Sequence, residues 1–296
     1  MTEGKKTESK TVGARRRTLL ERVQDALAPI LASKVALVGL GLVGFWVLVA
    51  IFAPLVSPYG PLTQDRYAMN EGPSTQHLLG TDHLGRDLWT RVIYGARTIL
   101  ILAPLSVFCS LVVGTTLGLT GGYFGGWIDE LVMRILDAIM AFPAVLLYLI
   151  IIVALGPSAM NVVIAITIAG APGIARLVRS LTLDIRTREY IAAAELRGEN
   201  PLYIMFVEIL PNARGPIIVD AMLRVGYAVF AIGTLGFLGL GLPPPSPDWG
   251  SMVAKGRQYI FINIWAVLWP AVAISSLVIG LNLFADGLRE ETMRYQ

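Results

Sequence analysis

The stretch Thr187–Pro211, TREYIAAAELRGENPLYIMFVEILP, decides how the rest of the chain is read. It gathers Arg188, Glu189, Glu195, Arg197, Glu199 and Glu208 between long apolar runs. So many ionised groups are too costly in hydrocarbon, so the stretch lies outside the bilayer. Its residues nevertheless specify helices. Thr187 is expected to cap a first helix, with Glu189 near its positive end. Ala192, Ala193 and Ala194 keep one side of that helix thin, and Gly198 suits the left-handed turn that ends it. Asn200 caps a second helix, and Pro201 takes its first position, where a missing N–H costs nothing. Leu202, Met205, Phe206 and Ile209 fall at i, i+3, i+4 and i+7 and predict one apolar face. Pro211 is expected to stop the helix. The reading is a helix–turn–helix on the membrane surface, joining two spans.

Working outward, hydrophobic residues make up 55% of the 296 residues and charged residues only 15%. Soluble domains carry about 25% charged residues. The fold class is therefore all-α: a polytopic membrane protein with about six spans of roughly 20 residues each. These are read at 35–55, 98–119, 128–155, 162–175, 215–241 and 265–284. Pro143 is expected to kink the third, and Gly170, Pro172 and Gly173 to loosen the fourth. Gly114 and Gly118 form a small-xxx-small pair that permits close helix packing. Gly121–Trp127 is read as a tight interfacial turn.

Residues 1–34 are basic, with Lys5, Lys6, Lys10, Arg15, Arg16, Arg17, Arg22 and Lys34 against four acids. Arg16–Lys34 is read as an interfacial helix on the inner leaflet. A span follows at once, so the run is assigned to the membrane and not to nucleic acid. The organisation is then a basic segment at 1–34, a first span with its outer loop at 35–97, and a transmembrane domain at 98–296. The positive-inside rule places both termini and 187–211 in the cytoplasm, with 57–97 and 242–264 outside.

Asp220 and Arg224 lie four apart within the fifth span and can pair. Intramembrane charge marks function by default; a buried structural pair is the competing reading. Asp137 lies one turn from Arg134 and is read as its partner. The single Cys109 rules out an internal disulfide. His77 and His83 lack cysteine partners and are read as surface residues, so no metal site is assigned. An intramembrane enzyme would need convergent catalytic groups such as His-Glu-x-x-His, and none is found. An ion-coupled carrier or channel leaves the ordered central loop unexplained.

The central stretch resembles the EAA loop of ABC-importer permease subunits. That pattern is Glu-Ala-Ala, three residues, Gly, and a gap closing near Leu-Pro. Ala193, Ala194, Gly198, Leu210 and Pro211 match it; Ala192 replaces the leading Glu, and Glu208 stands where many members have Ile. Glu189-Tyr190 resembles the loop start in the branch that moves dipeptides, oligopeptides and nickel. Within that branch, residues 77–87 (HLLGTDHLGRD) and 91–97 (RVIYGAR) resemble the "C" type subunits, while 121–127, 237–250 and 282–289 resemble the dipeptide-permease family at large. Many relatives have an acid where Ile232 stands. The resemblance implies an ATPase-coupling role for Glu189, Tyr190, Ala193, Ala194, Gly198, Pro201, Leu210 and Pro211. It also implies a sister permease forming a heterodimer, two cytoplasmic ATPase subunits, an extracytoplasmic solute-binding protein and a bacterial inner-membrane location. The chain has no Gly-x-x-x-x-Gly-Lys-Ser/Thr loop, so no cofactor is expected here; ATP and Mg belong to the partner ATPases. Short peptides head the implied cargoes, before nickel chelates, opines and sugar oligomers.

Overall fold

The computed structural model describes the backbone of residues 33–294 and the side chains of 33–290. The interfacial helix expected within the basic N-terminal segment lies outside the described residues. The chain is all-helical, with no strand among the described residues and one isolated bridge between Thr81 and Asp87. In order, the elements are α1 (Lys34–Ile51), α2 (Ala53–Val56), α3 (Leu88–Phe124), α4 (Gly126–Met140), α5 (Ala144–Leu155) and α6 (Ala159–Arg186). Then come α7 (Glu189–Leu196), α8 (Pro201–Tyr203), a π-helical stretch (Ile204–Ile209), α9 (Leu210–Phe237), α10 (Trp249–Gly256) and α11 (Trp265–Arg294).

Five helices are long and apolar enough to cross a bilayer, and the bent pair α4–α5 brings the number to six if it counts as one span. The expected single third span is not continuous. Its two halves meet at 89°. Pro143 cannot donate a backbone hydrogen bond and its ring clashes with the preceding turn, so α4 ends at Met140 and α5 restarts at Ala144. The halves also differ in chemistry. α4 carries Asp129, Glu130, Arg134 and Asp137, whereas α5 is uncharged. At 12 residues, α5 is about 18 Å long, short of the roughly 30 Å hydrocarbon core.

Two other expected boundaries move. The second span runs through Phe124 without a break, and the turn is confined to Gly125 and Gly126, both at positive φ. The fourth runs unbroken from Ala159 to Arg186, with Pro172 inside it. Helices α3 and α6 pack along each other through the Gly114–Gly118 face. A Cβ at Gly114 would meet Ala171 O at 2.7 Å, and one at Gly118 would meet Ala175 O at 2.5 Å. Only glycine allows that approach.

The core has two parts. One, around Trp46, Ile99, Val229 and Trp249, fills the bundle toward the end carrying residues 57–87 and 242–264. Trp249 is fully buried, donates its indole N–H to Val92 O at 2.8 Å and meets Trp46 edge-on. The other joins Leu119, Ile174, Val178, Ala213 and Ile217 to the loop between α6 and α9.

Candidate functional site: the loop between α6 and α9

The loop begins one residue later than the capping pattern predicts. Thr187 closes α6 instead of opening α7: its hydroxyl donates to Asp184 O at 2.7 Å. Arg188 takes the cap position, without a side-chain bond to the helix, and Glu189 stands in the first turn. Arg188 pairs with Asp184 at 3.0 Å across the junction.

The turn between the two short helices closes as a Schellman motif. Gly198 N–H donates to Glu195 O and Glu199 N–H to Ala194 O, with Gly198 at φ +75°. These bonds satisfy carbonyls that the helix end would leave unpaired. Asn200 Oδ1 accepts from Leu202 N–H at 2.9 Å, and Pro201 opens α8. Arg197 spans the turn, 3.5 Å from Glu199 and 3.9 Å from Glu208.

The second helix departs from the expected one in two linked ways. Pro211 does not stop it; α8, the π stretch and α9 run on as one helical path from Pro201 to Phe237. Proline has no N–H for the carbonyl of the preceding turn. Just before it the helix widens, and Leu210 N–H reaches back five residues to Met205 O. The widening also shifts the apolar face. Ile204, Met205 and Ile209 are buried, whereas Leu202 and Phe206 are 58% and 43% exposed.

The buried side of the loop is settled within the chain. Ile191, Ala194, Ile204, Met205 and Ile209 pack with Ile174, Val178, Ala213 and Ile217, and Leu210 packs on their edge. Ala194 therefore faces the bundle, while Ala193, Gly198, Pro201 and Pro211 face outward with Glu189 and Tyr190. The outer side exposes large apolar residues among the charged Arg188, Glu189, Glu195 and Arg197. Tyr190, Leu196, Leu202, Tyr203, Phe206 and Val207 are all exposed, Leu196 at 89%. The sequence reading put Leu202, Met205, Phe206 and Ile209 on one apolar face; the structure splits that face, with Met205 and Ile209 inside and Leu202 and Phe206 outside.

Arg224 lies in the middle of α9, on the same helical path. Its Nε donates to Asp220 Oδ2, and Nη1 donates to Gly170 O of α6 at 3.3 Å. Asp137 bonds Arg176 of α6, not Arg134, which lies 3.7 Å from Glu130. Arg179 of α6 grips Asp129 through Nε and Nη2. Both ties fasten α4 to α6, and neither has a local spacing signal. His77 is buried, not at the surface, with Nδ1 3.0 Å from Asp87 Oδ1; His83 stacks on Tyr259. No group of three or more His, Cys, Asp or Glu among the described residues is placed to hold a metal.

The chain matches a family model described as the binding-protein-dependent transport system inner membrane component, over residues 114–290. A second, the N-terminal TM domain of oligopeptide transport permease C, matches residues 22–73. The chain belongs to this permease family. It is 43% identical over 267 residues to the dipeptide transport system permease protein DppC of Alkalihalophilus pseudofirmus, covering 90% of this chain and 88% of that one. It is 42% identical to the di/tripeptide transport system permease protein DppC of Pseudomonas aeruginosa, covering 87% of each. Against the glutathione transport system permease protein GsiD of Escherichia coli it is 40% identical, covering 82% and 81%. Among solved structures, a chain of the MetNI methionine ABC transporter, in inward-facing conformations, matches with a TM-score of 0.54 at 23% identity. That match covers 70% of this permease and 96% of the other chain, and is a likeness of fold.

Proposed function

We propose that this permease is one of two different membrane subunits of an ATP-driven importer of short peptides. The observation that carries the reading is the loop between α6 and α9. Its turn and second helix are capped from within and its inner side is packed, yet its outer side presents Tyr190, Leu196, Leu202 and Phe206 uncovered. An exposed apolar patch rimmed by charge is the mark of a protein contact. A cytoplasmic ATPase is the partner proposed for it, since it would supply the ATP and Mg that this chain has no phosphate loop to hold. Glu189, Tyr190, Ala193, Gly198 and Pro201 lie on or beside this surface; Ala194 and Leu210 set its position from beneath.

In this reading both termini and the loop are cytoplasmic, and a solute-binding protein docks at the end formed by 57–87 and 242–264. Rocking of α6 and α9 with the loop alternates access to the path between the two permeases. Peptides rank first as cargo because the relatives named above are dipeptide, di/tripeptide and glutathione permeases, and glutathione is itself a tripeptide.

The test is to purify the tagged chain from its host in mild detergent and reconstitute what co-purifies. The expected result is recovery of a second permease and ATPase subunits. Uptake of labelled dialanine into proteoliposomes is expected to require both ATP and the binding protein. Peptide uptake without ATP, or a native assembly lacking any ATPase, overturns the proposal.

A further inference from the structure

A cavity of about 200 Å³ opens at mid-bundle, between Ser110 of α3, Tyr148 of α5, Gly170 of α6, and Arg224 and Tyr227 of α9. Its remaining walls are apolar, and none of its lining residues is an acid. Asp220 lies one turn away on α9, outside the lining, and binds only Nε of Arg224.

The guanidinium is thus held at one edge and open at the other. Of its five N–H groups, one goes to Asp220 and one to Gly170 O; Nη2 has no acceptor among the described residues. Glycine lets it lie flat on α6: a Cβ at Gly173 would sit 2.9 Å from Nη2. Tyr148 and the 69% exposed Tyr227 line the same space, and neither hydroxyl has a hydrogen-bond partner among the described residues. The cavity therefore offers unused donors and a fixed cation whose acid partner, Asp220, lies outside the lining. What would complete it is a small anion with an apolar neighbour.

A planar carboxylate fits best, because two parallel N–H groups of a guanidinium match its two oxygens. The volume is below the roughly 300–1,000 Å³ of a full ligand pocket, so it suits the end of a chain and not a whole peptide. We propose that Arg224, braced by Asp220 and flanked by Tyr148 and Tyr227, is a subsite for the C-terminal carboxylate of the peptide in transit. The inference rests on the importer reading above and goes beyond it by assigning one contact of the substrate path. Asp220 is a positioning residue: it holds Nε and leaves Nη2 without an acceptor.

The experiment uses the intact transporter in nanodiscs, without the binding protein, and alanyl-photoleucine as a photo-reactive dipeptide. Cross-links are expected on segments containing Tyr148 or Tyr227. Unlabelled dialanine should suppress them at least about tenfold, and dialanine amide, which lacks the carboxylate, should not. The double variant Asp220→Asn with Arg224→Gln keeps shape and strands no charge; it should lose labelling by a similar factor. Equal competition by the amide, or full labelling in the assembled double variant, overturns the subsite. So does labelling that anionic lipid suppresses as well as the peptide acid, which assigns the donors to a lipid phosphate. The acid-against-amide comparison uses the wild-type complex and decides even if the double variant assembles poorly. ATP-driven uptake of the same peptide by the wild type, with binding protein, separates the two readings. If uptake is absent, the importer reading fails and the subsite with it; if uptake is present but acid and amide compete equally, the subsite alone fails.

Discussion

The two ordered loops of this permease solve opposite problems. Residues 57–87 are polar, and the last third, with His77, Thr81, Asp82, Arg86 and Asp87, turns that polarity inward. Asp82 accepts from the backbone of Leu84 and Arg86 and from Arg86 Nε at 2.7 Å, with Arg91 at 3.7 Å. Asp87 caps α3 through Thr90 N–H at 2.8 Å and holds His77. Asn263 stitches this loop to the segment before α11 by donating to Glu71 O and Thr81 O. The loop between α6 and α9 has the reverse order, with apolar side chains outside and its ion pairs part-exposed. The first loop buries its ion pairs, although Tyr67 and Leu78 stay exposed at 97% and 58%, whereas the second leaves its ion pairs part-exposed. The difference lies in where the charges are settled, and the function proposed above gives both ends a partner.

The strongest test of that contrast is Asp82→Ala. It strands Arg86 and Arg91, both nearly fully buried. Removing one side of a buried pair costs about 3–5 kcal/mol. A large fall in the thermal unfolding midpoint of the purified complex is expected, and a shift within a degree or two would show the network to be ornamental.

Asp248 tests the same end by titration. Burial raises its pKa to about 6, against the lowering effect of the Gly250 and Ser251 backbone N–H groups. A carboxyl whose folded pKa lies above its unfolded value binds more protons when folded. The part of the stability owed to Asp248 is therefore full below about pH 4 and is lost as the pH rises to about 6. The loss is up to about 3 kcal/mol for a shift of this size. Asparagine also caps helices well, so Asp248→Asn should flatten that part of the stability–pH profile. An unchanged slope in the variant would place the titration elsewhere.

At the other loop the effect should fall on assembly. Leu202→Asp and Phe206→Asp add charge to exposed positions, so the fold should change by no more than about 0.5 kcal/mol. Recovery of ATPase subunits should drop about tenfold or more, as pull-down under equal membrane levels would show. Equal recovery would move the contact away from this patch. Gly198→Val touches no side chain and should have the smallest effect on assembly. No atom lies within 4 Å of a Cβ built there, so its cost is the backbone strain of φ +75° alone, about 1–2 kcal/mol. Normal insertion with weakened ATPase-coupled transport is expected; full transport would show that the turn geometry is not used.

Much of this was legible in the sequence where the determinants are local. Asn200-Pro201 and Gly198 announce their cap and turn because each acts on backbone within a few residues. The long apolar runs announce spans for the same reason. What escaped depends on partners far away in the chain. His77 is buried because Asp87 and Tyr59 enclose it, and Asp137 chooses Arg176 over a nearer arginine. The Pro211 error has another origin. Proline removes one donor, and a stop is only one remedy; here the helix widens and continues, and the widening turned Leu202 and Phe206 outward.

The path from Pro201 to Phe237 has 37 residues, a rod about 55 Å long. Its first turn lies under the proposed grip and Arg224 lies about 35 Å along it. Arg224 also touches Gly170, which belongs to a different rod. In the coupling proposed above, a twist applied at the loop would carry the guanidinium across the face of α6. The widened turn between them keeps the helical path unbroken, with Leu210 N–H reaching back to Met205 O, so the loop and the middle of the membrane share one axis.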